Sequence, residues 1–545
     1  MTRRKRYAAL AVLATTAVAG GILAGASAGP SEPPVLTNVA TANTRSDGYA
    51  PWSKLSVELR QVVVAQGSTK LDGGSVSPSS VGYYGYDNDL LNAAGQPQMV
   101  PTPTTPSEAK KTEPDKNTYL VFKNSLPGAD PHYWYGTHFL FQGHELGSPG
   151  YITRINLDAD ADHRVTLLAT KDVTGANLAT IDGSTWDPWA QRLLFTTESS
   201  GAPTYSATPG YPSTVTDVSG ALGRGGYEGI QNDSDGNLWI AEDIGGASKP
   251  GTTARIPNSF IYRYVPKTKG DLANGKLQVL QVLNAAGDPI TKLSQTPLNS
   301  PDQVALHTYG TSFKTQWVTI HDTAVDGSAP FVANPLAVAK NGTPFKRPEN
   351  GVFRPAAGFK EFYFDETGDT NATSPENPIG GWTGVFKLRQ KDPSADTGTL
   401  SLFYKGDAAH AGFDNVTFIS RDQITFVEDA GDTLHGQRNA LDSGFVFNVE
   451  TNYASPSNQP IRWLAEGRDP SATLDAANGG FGKNEGDNEI TGAIVSNGDP
   501  DADGILGAKP PKPFKAGWRW FYTQQHGDNP TYEVIPAEGD GPEGP

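Results

Sequence analysis

Acidic side chains recur in this chain at one kind of place, the opening of a short strand. Asp182-Gly183-Ser184-Thr185-Trp186 precedes a strand read from Arg192 to Glu198, and Tyr227-Glu228 precedes one from Asn237 to Asp243. Pro301-Asp302 precedes Gln316 to Asp322, and Arg347-Pro348-Glu349 precedes Glu361 to Glu366. Phe413-Asp414-Asn415 precedes Gln423 to Asp429, and Glu489-Ile490-Thr491-Gly492 precedes Trp518 to His526. If these openings converge, Asp182, Glu228, Asp302, Glu349, Asp414 and Glu489 form a ring that repels itself unless cations sit within it. Carboxylates in that arrangement hold divalent ions.

A second acidic pattern is Asp499-Pro500-Asp501-Ala502-Asp503-Gly504. Its alternate aspartates and closing glycine have the spacing of a calcium loop, although Pro510 stands where a closing glutamate belongs. Other motifs fail. No Gly-x-Ser-x-Gly elbow occurs, and the Walker-like spacing from Gly270 to Lys276 ends in Leu277 where a Ser or Thr is required. His144-Glu145 lacks a second histidine at zincin spacing, and His144 and His526 read first as hydrogen-bonding residues at strand ends.

The elements that must position these residues are strands. Short apolar runs alternate with Gly, Asp and Asn turns, of which Asp233-Ser234-Asp235-Gly236-Asn237 is the plainest hairpin. No helical period lasts a dozen residues. The six units start roughly 45 to 75 residues apart, and a four-stranded unit of that size cannot bury both its faces alone. The pattern predicts an all-β chain folded as a β-propeller, with six blades, or seven if Phe139 to Glu145 begins another. The predicted organisation is a leader at 1–28, an irregular Pro/Ser/Thr/Gly-rich segment at 29–118, the propeller at 119–535 and a tail at 536–545. The first segment holds one credible strand, Leu59 to Val64.

Composition bounds the partners. Asp and Glu number 59 against 43 Lys and Arg, which disfavours nucleic acid, whose phosphates need basic side chains. The chain has no cysteine, so disulfides, thiolate metal sites and Cys nucleophiles are all excluded. Arg3, Arg4, Lys5 and Arg6 precede an apolar run from Tyr7 to Leu23, and Ala26-Ser27-Ala28 offers a cleavage site. Export by the Sec or twin-arginine route is expected, leaving no membrane span after cleavage.

The ordered set Gly143-His144-Glu145, Pro188-Trp189 leading to Glu198, Tyr227-Glu228 leading to Glu242-Asp243, Arg347-Pro348-Glu349, Asp414-Asn415, Glu489-Ile490-Thr491-Gly492 and Gln525-His526-Gly527 resembles the PhoX-type alkaline phosphatase family. The resemblance runs over about residues 130–530, and Arg-Pro-Glu and Glu-Ile-Thr-Gly are its most specific pieces. It implies an exported phosphomonoesterase on a propeller, with calcium (Ca2+) and ferric iron (Fe3+) at one end of the channel. It implies metal ligands at Glu198, Glu228, Glu242 and Glu349, with Asp414 and Glu489 beside them. Arg347 would face the substrate phosphate, with Glu349 as its catalytic neighbour. One departure is plain: the family bridges its iron pair with a cysteine, and here Asp182 stands near that place. An oxygen-only site suits calcium, magnesium or manganese better than a thiolate-bridged iron pair.

The expectation is a secreted, monomeric, metal-dependent phosphatase acting on a small phosphorylated substrate. Two alternatives share the fold: a noncatalytic, calcium-stabilised binding module at the cell surface, and a calcium-dependent lactonase or phosphotriesterase.

Overall fold

Antiparallel pairing builds five sheets from the alternating runs, and the order of their strands lays out a propeller. The computed structural model describes residues 35–45, 52–73, 82–87, 89–99, 104, 109–145, 149–467, 489–505, 509–515, 517–525 and 528–537. The leader and His526 lie outside them.

Two strands come from the N-terminal segment, β1 (Lys54–Leu55) and β2 (Leu59–Ala65). Blade one is β3 (Thr118–Val121), β4 (His138–Gly143), β5 (Ile152–Asn156) and β6 (Val165–Ala169). Blade two is β7 (Ser184–Asp187), β8 (Arg192–Phe195), β9 (Tyr205–Ala207) and β10 (Val215–Asp217). Blade three is β11 (Tyr227–Asn232), β12 (Leu238–Glu242), β13 (Ile261–Pro266) and β14 (Gly275–Leu283). The long β15 (Ser312–Asp322) follows. Blade four is then β16 (Gly351–Phe353), β17 (Glu361–Glu366), β18 (Gly384–Gln390) and β19 (Thr397–Lys405). Blade five is β20 (Phe413–Phe418), β21 (Gln423–Glu428), β22 (Ser443–Asn448) and β23 (Ile461–Ala465), with β1 on its outer edge. Blade six is β24 (Glu489–Ser496), β25 (Arg519–Gln525) and β26 (Thr531–Pro536), completed by β2.

β15 pairs with β14 on one side and β19 on the other, fusing blades three and four into one nine-stranded sheet. The first strands of the six blades still close a ring: β3, β7, β11, β16, β20 and β24 each touch the next, and β24 returns to β3.

The core is a series of layers between neighbouring blades, as a propeller requires. Phe122 lies 5.9 Å from Trp186 between blades one and two, and Leu194 and Ile240 share the apolar cluster between two and three. Trp239 packs on Phe362, and Tyr363 on Phe418. Trp463 lies 4.6 Å from Trp520 between blades five and six, and Phe521 lies 5.3 Å from Tyr119 at the closing seam.

Two readings of the repeat are corrected. Pro301-Asp302 does not open a blade: Ser300 caps a helix, Pro301–Leu306, with Pro at its first turn. The strand that follows is real, but it is the outer bridge β15 rather than part of a separate blade. Phe139 to Glu145 does not begin a seventh blade either. It is β4, the second strand of a blade whose first strand, β3, is only four residues long.

Candidate functional site

The carboxylates reach the channel mouth because the first strands are irregular where they begin. Register shifts fall between Tyr227 and Ile230 in β11, between Phe413 and Val416 in β20, and between Thr491 and Ile494 in β24. A bulge re-aims the side chains beside it, here Glu228 and Asp414. The blades also approach through bare backbone. A Cβ on Gly183 would stand 2.0 Å from the carbonyl oxygen of Glu228, and one on Gly229 would stand 2.8 Å from that of Glu349. Gly229 N–H donates to the Glu349 carbonyl at 2.8 Å. Glycine at these two positions draws Asp182, Glu228 and Glu349 together.

Two groups result. Asp115, Glu145, Asp182 and Glu228 each offer an oxygen within 4.8 Å of the others, and so do Glu228, Glu349 and Asp414, with Glu228 common to both. Asp115, Asp182, Glu228, Glu349 and Asp414 are buried. Both oxygens of Asp182 and Oδ2 of Asp115 have no hydrogen-bond partner. Buried anions left in that state are costly unless something positive sits among them. Burial first, then Glu228, Asp115 and Glu145, raise the Asp182 carboxyl far above its usual range. Burial and Glu349 do the same to Glu228, and burial and Asp243 to Glu349. Asp414 is pushed up to about 8 by burial, then by Asp115 and Asp429.

This donor set fits hard cations. Carboxylate oxygens with unmatched charge are the ligands that calcium, magnesium and manganese take. A thiolate-bridged iron pair does not fit, because the chain has no cysteine and Asp182 supplies oxygens instead.

One basic side chain, Lys116, lies among the acids. It is buried, and its Nζ donates to Asn350 Oδ1. The Asn350 side-chain amide donates to Asp414 Oδ1 at 3.1 Å, and its backbone N–H donates to Asp365 Oδ1 at 2.9 Å. Burial lowers the Lys116 ammonium, against the pull of Asp414, Asp115, Glu228 and Asp365.

Arg347 occupies the mouth. Its Nε lies 3.1 and 3.0 Å from the two oxygens of Asp243, and its Nη2 lies 2.8 Å from Asp243 Oδ2 and 3.3 Å from Glu349 Oε1. The side chain keeps 20% of its surface exposed. Its backbone is left-handed, φ 58°, a conformation that costs an arginine energy and is held from both sides. Thr367 N–H donates to the Arg347 carbonyl at 2.8 Å. The preceding Lys346 is locked 2.8 Å from Asp369 and 2.9 Å from Glu376, with none of the three side chains exposed. Lys346 therefore turns into the protein and Arg347 into the channel.

The other residues expected from the sequence fall in several places. Glu489 opens β24, and Asp429, Glu145, Asp414 and Asp115 all act on its charge, though it stands outside the two groups. Glu198 is exposed at the rim, and the protein around it, then Asp243, push it up to about 7 against Arg347. Glu242 is not brought into the cluster. It faces the blade interior, accepting from Phe260 N–H at 3.1 Å, Tyr262 Oη at 3.0 Å and Asn334 Nδ2 at 3.0 Å. Its neighbour Asp243 faces the mouth instead. The Asp499, Asp501 and Asp503 carboxylates do not converge. Asp501 and Asp503 are exposed, Asp499 accepts from Asp501 N–H at 3.1 Å, and Asp503 lies in a short helix, Ala502–Ile505. His144 is buried between Thr112 and Thr153, using both ring nitrogens, and burial lowers it to about 3.

No protein-family model matches the chain, and no curated protein sequence does. Among solved structures, it is similar to Pseudomonas fluorescens PhoX in complex with vanadate, a transition state analogue. The two share 11% sequence identity at a TM-score of 0.53, over 91% of this chain and 98% of that one. The likeness extends over nearly the whole of both chains: this chain has a PhoX-like propeller fold.

Proposed function

We propose that the chain is a metal-dependent phosphatase that hydrolyses small phosphate monoesters outside the cytoplasm, after removal of residues 1–28. The observation that carries this reading is the buried Asp182 carboxylate, with neither oxygen partnered, in a cluster that touches Arg347 through Glu349. A propeller using these acids only to join its blades would give each of them a protein donor, as Oε2 of Glu242 has three, whereas Asp182 has none on either oxygen. The calcium-stabilised, noncatalytic module would need cations here too; the partly exposed Arg347 beside Glu349 is what favours the phosphatase over it. The vanadate complex of the similar PhoX structure supports phosphoryl chemistry in a fold of this kind.

Asp115, Glu145, Asp182, Glu228, Glu349 and Asp414 would hold the cations, calcium being the first choice for such a donor set. Bound there, divalent cations supply Lewis-acid neutralisation of phosphoryl oxygens and lower the pKa of water. The protein's own part is orientation. Arg347 presents a planar guanidinium to two phosphate oxygens, a geometry that lysine does not reproduce. Asp243 and Glu349 hold that plane still, so little ordering is left for the moment of reaction. Burial of the carboxylates keeps bulk water from screening the charges that meet the phosphoryl group.

The test is to purify the processed protein without chelator, measure bound metals by elemental analysis, and assay p-nitrophenyl phosphate with and without added calcium. Metal-dependent turnover that is lost in Glu349→Gln and Arg347→Ala is expected. Bound calcium with no turnover on any phosphomonoester tried would overturn the enzymatic reading and restore the binding module.

A further inference from the structure

The carboxylates are confined to one end of the channel. Beyond them the first strands of the blades enclose a cavity of about 160 Å³, lined by Thr118, Ser184, Thr185, Asn232, Thr417 and Ser496 among others. No carboxylate lines it, and the charged residues on its wall are Lys116 and Lys509. Lys116 marks the border between the two zones. It directly follows Asp115, it is 5% exposed, and its Nζ is bonded to the Asn350 amide whose other end holds Asp414. Asp365 shares Asn350, and its Oδ2 is unpartnered. More negative charge gathers here than one ammonium offsets, and Lys116 supplies a cation at this end of the ring as Arg347 does at the mouth.

We propose that Lys116 is a resident cation of the channel: it takes the place of a divalent ion at the floor of the carboxylate ring and confines metal to the groups nearer Arg347. A lysine at this point carries one charge at a fixed place and needs no ligands from the cavity below. On its cavity side a divalent ion there would meet no further carboxylate, only neutral hydroxyls and amides among apolar side chains such as Phe353 and Phe418, a poorer match for its charge than the groups nearer Arg347. Lys116 also fixes the Asn350 amide with its oxygen toward the ammonium and its nitrogen toward Asp414. With Asn415 Nδ2 donating at 3.0 Å, both oxygens of Asp414 then have protein donors. This inference rests on the metal-site reading, and deepens it by saying what sets the ion count.

The experiment compares wild type, Lys116→Gln and Lys116→Arg, each equilibrated with calcium or with manganese, desalted and analysed for metal per chain. Lys116→Gln removes the charge and keeps a donor for Asn350; it is expected to hold about one further divalent ion per chain. Lys116→Arg keeps the charge and is expected to match wild type. The calcium-induced rise in melting temperature should be larger in Lys116→Gln than in the other two. An unchanged ion count in Lys116→Gln, with metal present in wild type, overturns the role of Lys116 and leaves the metal site standing. A wild-type chain that binds no metal removes both. If Lys116→Gln is unfolded without metal, calcium titration followed by circular dichroism decides: recovery of the native spectrum supports the proposal, and no recovery at saturating calcium overturns it.

Discussion

Arg347 Nη2 lies 2.8 Å from Oδ2 of Asp243, a contact that ties the entry to blade four to the end of β12 in blade three. The arginine is thus held by a carboxylate belonging to another blade, and the charge of Asp243 makes the guanidinium harder still to deprotonate. The guanidinium proposed to meet phosphate is thereby coupled to the packing of blade four against blade three.

Asp243→Asn keeps the shape and removes the charge that orients Arg347. Turnover of p-nitrophenyl phosphate should fall about 10- to 100-fold, with a rise in KM, while bound metal is unchanged. Arg347→Ala should cost about 100- to 1000-fold, as loss of an oriented transition-state donor does. Arg347→Lys should recover little of it, because the paired geometry is lost. Measuring kcat and KM separately for the three variants checks the assignment; equal activity in Asp243→Asn and wild type would show that Asp243 orients nothing.

Asp182 supplies two unpartnered oxygens to the group that also contains Asp115, Glu145 and Glu228. Asp182→Asn should lower calcium affinity about 10- to 100-fold, by analogy with losses around other metal sites. The same change removes a carboxyl that the metal-free fold must protonate well above its unfolded range or bury as an anion, so the metal-free variant should be more stable than metal-free wild type. Isothermal titration with calcium and urea unfolding in chelator measure the two effects. Weaker binding without the gain in apo stability would place Asp182 in the site but not among its strained charges.

The pH dependence of stability follows from the same strain. Unfolded carboxyls titrate near pH 4. In the fold, burial and neighbouring acids push Asp414 up to about 8 and raise Asp182, Glu228, Glu349 and Glu489 well above their usual range. Between roughly pH 4 and 8 the folded, metal-free chain therefore binds more protons than the unfolded one, and its stability falls as pH rises through that window. If calcium binds as proposed it displaces those protons, so its stabilisation should grow with pH. Urea midpoints at about pH 5 and pH 8, in chelator and in calcium, test this. A metal-free protein as stable at the higher pH as at the lower would contradict it.

The first strands of most blades were legible because each opens with an acid beside turn residues and is followed by a β-rich run. Glu228, Glu349, Asp414 and Glu489 announce themselves this way. Asp115 did not. It lies just after the proline-rich stretch ending Glu113-Pro114, and the strand it precedes, Thr118–Val121, is too short to show alternation. Asp302 mimics a blade opening because it falls on the rhythm of the repeat, while the local chemistry, Ser300 followed by Pro301, is that of a helix start. Glu242 and Asp243 show a different limit. Successive side chains at the end of β12 face opposite ways, so choosing the neighbour selects the wrong side, and spacing alone does not say which acid meets Arg347. Asp243 becomes visible only when blade four is folded against blade three. The cluster's Lys116 was silent for a related reason, since a lone lysine after an aspartate reads as a solvated pair until six strands bury it.

Midway along the N-terminal segment, β1 and β2 complete blades five and six, and β2 packs into the apolar layer that holds Ile490, next to Glu489. Leu59 is 6% exposed and belongs to the same apolar cluster as Ile490, Trp463 and Trp520. Gln61 Oε1 accepts a hydrogen bond from Tyr522 Oη at 2.5 Å, fixing β2 across the blade. Leu59→Ala should therefore cost about 2–4 kcal/mol, as truncation in a packed core does, although the residue lies far in sequence from the blades it joins. Because β24 carries Glu489 and contacts β3 beside Asp115, loosening blade six should also weaken calcium binding in proportion. Urea unfolding gives the first effect and calcium titration the second. A loss below about 0.5 kcal/mol, in the range of surface changes, would mean that β2 lies on the blade without holding it closed.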